Sequence, residues 1–108
     1  MIKNDYIYIE HITKSLNKVL AYIKDMSLEE FEENTMAQDA CIRQFEIIGE
    51  ATKRISEELK EKNPDIPWKD MAGMRDKLIH EYIDIDIAIV YKTAKEDAID
   101  LLMKLEKL

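Results

Sequence analysis

The stretch RDKLIHEY, residues 75–82, carries side chains with the chemistry to cleave a phosphodiester. A histidine can take and give protons near neutral pH. An arginine holds a phosphate through its planar fork and stabilises charge that develops on it. Arg75 and His80 could therefore cleave RNA without a metal ion. The histidine would assist attack by the 2′-hydroxyl or protonate the leaving oxygen, and Asp76 could orient a partner side chain.

A helix that carries this stretch would not place Arg75 and His80 on one face. Five residues of an α-helix turn about 140° and rise about 7.5 Å, whereas seven residues return almost into line, so Arg75 and Tyr82 would share a face. A common substrate would need the reach of arginine, a helix that loosens near His80, or a second copy of the chain. A twofold homodimer with this helix at its axis would bring two arginines and two histidines to one cleft.

A non-catalytic interpretation of the same residues stays open. Arg75 could pair with a carboxylate on a surface helix, and His80 could be a partly buried cap. Other chemistries have weaker support, because the chain has no phosphate-binding or nucleophile-elbow motif. The second histidine, His11, has no His or Cys at metal-ligand spacing, so we expect no metal and no cofactor.

Composition and charge predict one helical domain spanning residues 1–108. Apolar residues at 46%, charged residues at 36%, two glycines and two prolines are typical of a helical globular protein. The net charge of −7 argues against wide non-specific binding of nucleic acid, so an RNA ligand would need a local basic pocket. We expect a cytoplasmic protein, because it has no apolar run of membrane-spanning length, no signal-peptide layout and one cysteine, Cys41, predicted to be buried.

Apolar residues at three- and four-residue steps predict an all-α bundle of about four main helices. The first helix is predicted from Asp5 to about Lys24. Ser27 has the spacing of a capping box, which predicts a short helical turn through Phe31.

A second helical run of apolar residues follows Thr35 to Gln38, which have the spacing of another capping box. It predicts a helix that continues to about Lys62, where the following Asn63-Pro64 stops it. Trp68 is predicted to be a core or interface anchor in a short turn opened by Pro67. The last helix is predicted to begin at Asp86, which has a residue type favoured as an N-cap.

The motif RDKLIHEY resembles the R-x4-H-x-Y signature of the HEPN ribonuclease toxins, the HepT-like group of type VII toxin–antitoxin systems. The resemblance extends through RQFEIIGEATKRIS and NPDIPWKDMAGMRDKLIHEYIDID and covers roughly residues 40–90. It implies a HEPN-like all-α fold, a homodimer with the active cleft at its interface, and metal-independent cleavage of RNA.

The resemblance also implies roles for individual residues. Arg75 and His80 match the catalytic pair, and Asp76 matches the polar residue that follows the arginine. Tyr82 matches the tyrosine that a nucleotidyltransferase-fold antitoxin modifies with AMP. The alternative function is a non-catalytic helical partner that gives a nucleotidyltransferase its substrate surface, but such a partner would not need both Arg75 and His80.

Overall fold

A computed structural model describes residues 3–80 and 85–108, without the side chains of Lys3, Arg75 and residues 77–80. The described chain forms seven α-helices and one π-helical turn. They are α1 (Lys3–Ile23), α2 (Leu28–Glu32), α3 (Thr35–Lys53), α4 (Glu57–Lys62), α5 (Trp68–His80), α6 (Ile87–Lys92), the π-helical turn (Thr93–Asp97) and α7 (Ala98–Glu106).

Four long elements dominate the architecture: α1, α3, α5, and the continuous run of α6, the π-helical turn and α7. The helices α1 and α3 pack against each other, α5 packs on α3, and α7 packs on α1. Residues 3–80 and 85–108 contain no β-strand. The predicted all-α bundle of about four main helices is therefore confirmed. No helix within those two ranges is both long and apolar enough to span a membrane.

The core consists of the apolar stripes predicted for the long helices. From α1 it takes Ile12, Leu16, Val19 and Ile23, each at most 1% exposed. Full burial of one such side chain contributes roughly 1.5–3 kcal/mol to folding. The other long elements also contribute buried residues to the core, among them Cys41, Phe45, Ile48, Trp68, Met71, Val90, Ala94, Ala98 and Leu105.

The helix predicted from Thr35 to about Lys62 is in fact two helices, so that prediction was wrong. The α4 helix starts anew at Ser56, whose side chain accepts a hydrogen bond from the Leu59 backbone N–H at 3.2 Å. The buried carboxylate of Asp5 accepts hydrogen bonds from the Ser56 backbone N–H at 2.9 Å and the Ser56 hydroxyl at 2.7 Å. The break is therefore stabilised by a residue 51 positions away, which local apolar spacing cannot reveal.

The helix α3 begins at Thr35, so its N-cap lies one residue before the predicted one. The N-cap is Asn34, whose side-chain oxygen accepts from the Ala37 backbone N–H at 2.9 Å. Gln38, predicted to complete a capping box with Thr35, instead donates to the carbonyl oxygens of Phe31 and Glu32, at 2.9 and 3.0 Å. It thereby adds hydrogen bonds to carbonyls in the last turn of α2, of which that of Phe31 also accepts from the Asn34 backbone N–H at 3.1 Å.

The capping box at Ser27 is confirmed. Its hydroxyl accepts from the Glu30 backbone N–H, and the Glu30 carboxylate accepts from the Ser27 backbone N–H, both at 3.1 Å. The hydrogen bond from the Ser27 backbone, followed by the one involving its side chain, lowers the pKa of the Glu30 carboxyl. The predicted N-cap at Asp86 is also confirmed, with its side chain accepting from Ala88 and Ile89.

The last helix contains a feature that the apolar spacing did not predict. A π-helical turn at Thr93–Asp97 interrupts it, with Ala94 fully buried. Just before this turn, the Tyr91 hydroxyl donates to the Met26 carbonyl at 2.6 Å, and its ring packs at 5.4 Å from that of Phe31. These contacts join the last helix to the α1–α2 connection and to α2.

Candidate functional site

The motif helix α5 is anchored at its start by Trp68. The Trp68 indole is buried and donates to the Asn63 carbonyl at 3.0 Å, which confirms the predicted core anchor. The Met71 backbone N–H donates to the Pro67 carbonyl at 3.0 Å, so the helical hydrogen bonds begin at that proline. Where a short turn was predicted, a helix of 13 residues therefore starts, and it continues through His80.

The backbone of Arg75 and His80 lies on this single helix. Since α5 is α-helical over both positions, the two residues are separated by about 140° around the axis and about 7.5 Å along it. Their side chains lie outside the described part of the structure, as does all of Tyr82. The predicted catalytic roles of Arg75 and His80, and the predicted modification of Tyr82, remain predictions.

Asp76, the residue after Arg75, has a defined partner on a neighbouring helix. Its Oδ1 atom accepts a hydrogen bond from Lys53 Nζ at 2.6 Å, which also forms an ion pair between α5 and α3. The two side chains are 49% and 36% exposed, so the pair contributes at most about 1 kcal/mol to stability. Its effect is geometric, because it links the turn that carries Arg75 to the end of α3.

Lys53 was not among the residues singled out in the sequence. It lies 23 positions before Asp76 and belongs to the last turn of α3, where a lysine is commonly explained by the helix dipole. The pair could be found only by knowing how α3 and α5 pack. The one local signal was that Asp76, directly beside a candidate catalytic arginine, required a cationic or hydrogen-bonding partner.

A hollow of about 260 Å³ lies beside the first half of α5, with an apolar floor that includes Leu16, Phe45 and Met71. Three exposed aspartates line it: Asp70, Asp97 and Asp100. We call this feature the acidic hollow. Three carboxylates disfavour an approaching phosphate, so RNA is not expected to reach α5 through the acidic hollow.

Cys41 and the potential metal ligands are the other groups that could take part in chemistry. Burial raises the pKa of the Cys41 thiol to about 11, so it is protonated and unreactive near neutral pH. This agrees with the predicted structural role for that cysteine. In the part of the chain that the structure describes, no three His, Cys, Asp or Glu side chains are grouped so that they could hold a metal ion.

Comparisons with known proteins match almost the whole chain. A family profile described as "Ribonuclease HepT-like" matches residues 12–108. The "Probable ribonuclease HepT" of Thermococcus cleftensis is 43% identical over 101 residues, covering 94% of this chain and 92% of that protein. A Methanocaldococcus jannaschii protein named "Putative RNase" is 41% identical over 94% of this chain and 87% of its own length.

A second M. jannaschii protein with a name of the same form is 43% identical over 83% of each chain. No solved structure matches the chain significantly. The family profile spans most of the chain and includes the R-x4-H-x-Y motif, whose Arg75 and His80 belong to α5, and the relatives cover most of their own lengths. The chain therefore belongs to the HepT-like ribonuclease family.

Proposed function

We propose that this chain is an endoribonuclease toxin that cleaves RNA with Arg75 and His80 as its catalytic pair. The observation that carries the proposal is membership of the HepT-like ribonuclease family together with an intact R-x4-H-x-Y motif in the sequence, whose Arg75 and His80 lie on one helix. A helical domain that only supported a partner enzyme would have no need of both side chains.

The proposed reaction is a transesterification. The 2′-hydroxyl attacks the adjacent phosphorus, a histidine takes its proton, and a second group returns a proton to the departing 5′-oxygen. The products are a 2′,3′-cyclic phosphate and a free 5′-hydroxyl. Arg75 stabilises the charge on the non-bridging oxygens as the phosphorus becomes five-coordinate.

A homodimer would supply both proton-transfer groups as two copies of His80. The offset of about 140° between Arg75 and His80 on α5 supports this assembly, because a second copy of the helix can present to the phosphate the group that the first copy directs away from it. Ile42 lies outside the main apolar stripe and is only half-buried, so it leaves apolar surface for a partner. Sedimentation should give about twice the chain mass of 12.7 kDa, and an active monomer would refute the shared cleft.

The decisive experiment compares cleavage by the parent with that by Arg75→Ala and His80→Ala. Each variant should keep its helical circular dichroism and lose at least about 100-fold in rate, the usual effect of removing a general acid–base or a charge-stabilising group. Lys92→Ala is the matched control, because it removes an exposed charge from another helix. Undiminished cleavage by His80→Ala would overturn the proposed mechanism.

The proposed regulation is transfer of AMP to Tyr82 by a nucleotidyltransferase-fold antitoxin. The tyrosine oxygen attacks the α-phosphorus of a nucleoside triphosphate and pyrophosphate leaves. On a helix that continued past His80, Tyr82 would lie almost in line with Arg75, so the added phosphodiester would compete with RNA for that cleft. The family resemblance supports this choice of residue.

The modification is tested by coexpression with the antitoxin. The parent should gain mass in steps of one AMP unit and lose cleavage activity. Tyr82→Phe should cleave RNA at close to the parent rate and escape this inhibition, because its hydroxyl has no role in the proposed chemistry. If Tyr82→Phe is modified and inhibited like the parent, another residue is the target.

A further inference from the structure

A groove between α1 and α3 collects unusual residues for so acidic a chain. It has a volume of about 440 Å³, and its polar lining consists of Tyr8, His11, Arg43, Glu46, Glu50 and Arg54. Its apolar lining is small, Ile47 and Ala51. We call this feature the arginine groove.

The basic side chains of the groove are arginines, which indicates phosphate as the group that the groove binds. Only three of the 16 basic residues in the chain are arginines, and two of these three, Arg43 and Arg54, line this groove. The other basic residues are lysines, and none of the lysines whose side chains the structure describes lines the groove. Arginine differs from lysine in offering a planar fork that binds a phosphate through two hydrogen bonds.

The spacing of the two arginines suits an extended strand. They are eleven residues apart: Arg43 lies near the middle of α3 and Arg54 is its C-cap. This separation corresponds to about three helical turns and about 16 Å. Eleven residues return nearly to the same face, so both arginines border the groove. Arg43 is 69% exposed and only 3.6 Å from one oxygen of Glu46, an arrangement that leaves most of its donors available.

The other lining groups suit bases rather than phosphates. The rings of Tyr8 and His11 meet edge to face, with centroids 6.3 Å apart, and aromatic rings of this kind stack on unpaired bases. The carboxylate of Glu46 can accept hydrogen bonds from exocyclic amines of bases. A protein–protein contact would instead require a larger apolar centre than Ile47 and Ala51 provide.

The end of α3 that carries Arg54 also contacts the motif helix. Arg54 directly follows Lys53, and Lys53 contacts Asp76, the neighbour of Arg75 in the chain. One end of the groove therefore lies next to the turn of α3 that forms the ion pair with α5. From these observations we infer that the arginine groove binds a single-stranded segment of RNA that flanks the cleaved bond. This inference rests on the proposed ribonuclease function.

Binding is measured without cleavage, in the His80→Ala background, by fluorescence anisotropy of a labelled single-stranded RNA 12-mer. Adding Arg43→Glu and Arg54→Glu should weaken binding by about tenfold or more, since two phosphate contacts are lost and charges are reversed. The slope of log K against the logarithm of the salt concentration should become shallower by about 1.4, which is about 0.7 for each lost phosphate contact. Lys92→Glu with Lys107→Glu is the matched control, because it changes charge equally outside the groove.

Two further variants separate the chemical contributions. Arg43→Lys with Arg54→Lys keeps the charge but removes the forks, so binding should be intermediate between the parent and the glutamate variant. Tyr8→Ala should weaken binding about fivefold or more through lost stacking, whereas Tyr8→Phe should bind like the parent. Thermal unfolding of each variant verifies that the fold is retained.

Two results would overturn the inference. One is equal binding of RNA by the groove variant and the Lys92/Lys107 control. The other is a change in oligomeric state by sedimentation with unchanged RNA affinity, which would make the groove a contact between copies of the chain. Failure of the proposed ribonuclease function is distinguishable, because it would appear as absent cleavage by the parent, whereas this test reads binding alone.

Discussion

The α1–α3 hairpin and the motif helix α5 are held in place by different kinds of contact. The hairpin is fixed by burial: Ile12, Leu16 and Val19 of α1 are completely inaccessible and pack in one core with residues of α3. Among the described side chains of α5, burial is concentrated in its first turns, at Trp68 and Met71. Further along, the described contacts include the partly buried Met74, which packs against the core, and the half-exposed pair of Asp76 with Lys53.

This difference separates what sets stability from what sets the geometry of the candidate site. Apolar burial is strong and non-directional, so it determines that the hairpin forms. A charged hydrogen bond is directional and contributes little net stability at a half-exposed site, but it can hold one turn of helix in a defined position. Substitutions in the two regions should therefore affect different measurements.

The largest effect on stability should come from the hairpin. Leu16→Ala removes a fully buried side chain from α1 and should reduce the free energy of unfolding by about 2–5 kcal/mol, from lost burial and the cavity left behind. Urea unfolding followed by circular dichroism measures this change. Leu28→Ala is the control, because that leucine is 37% exposed and its truncation should have a much smaller effect. Equal losses would mean that α1 is not the main support of the fold.

The predictability of each region from sequence follows the same division. The stripe Ile12, Leu16, Val19 and Ile23 was predictable, because helical periodicity is a local signal. The break before α4 was not predictable, since the cap at Ser56 is stabilised by Asp5, 51 positions earlier in the chain.

The candidate site was predictable to a similarly limited extent. The motif residues could be selected by type and spacing, and the start and extent of α5 were only partly anticipated. The pairing of Lys53 with Asp76 and the arginine groove depend on the register between helices. Tyr8 and Arg54 are 46 positions apart in the chain, and only packing brings them to one groove.

A second prediction concerns Lys53 as a positioning residue for Asp76. Lys53→Met should change the free energy of unfolding by less than about 1 kcal/mol, because the pair is half-exposed. It should nevertheless lower kcat for RNA cleavage by about fivefold to tenfold, since small displacements of reacting groups are costly. The measurement is kcat at saturating RNA, so that weaker binding alone does not account for the loss.

Conservative replacement and charge exchange test this assignment. Lys53→Arg should restore most of kcat, because its guanidinium can still donate to Asp76. Exchanging the charges with Lys53→Asp and Asp76→Lys should recover part of the loss seen in each single variant. A normal kcat in Lys53→Met would show that the link to α3 does not position the motif turn.

The smallest predicted effect is a gain of stability in the motif helix itself. Gly73 lies within α5, is exposed, and has nothing within 4 Å of the position that a Cβ atom would take. Gly73→Ala should therefore raise the free energy of unfolding by about 0.5–1 kcal/mol, since alanine restricts the unfolded chain and favours the helix. The neighbouring Ala72→Gly is the matched control and should lower stability by a similar or larger amount, because Ala72 is also half-buried. Thermal unfolding of both variants gives the sign of each change in stability.

Because Gly73 is two residues before Arg75 and makes no side-chain contact, the cleavage rate of Gly73→Ala should stay within about twofold of the parent if α5 acts as a rigid helix. A more stable protein with strongly reduced cleavage would instead indicate that the motif helix must bend at Gly73 during the reaction.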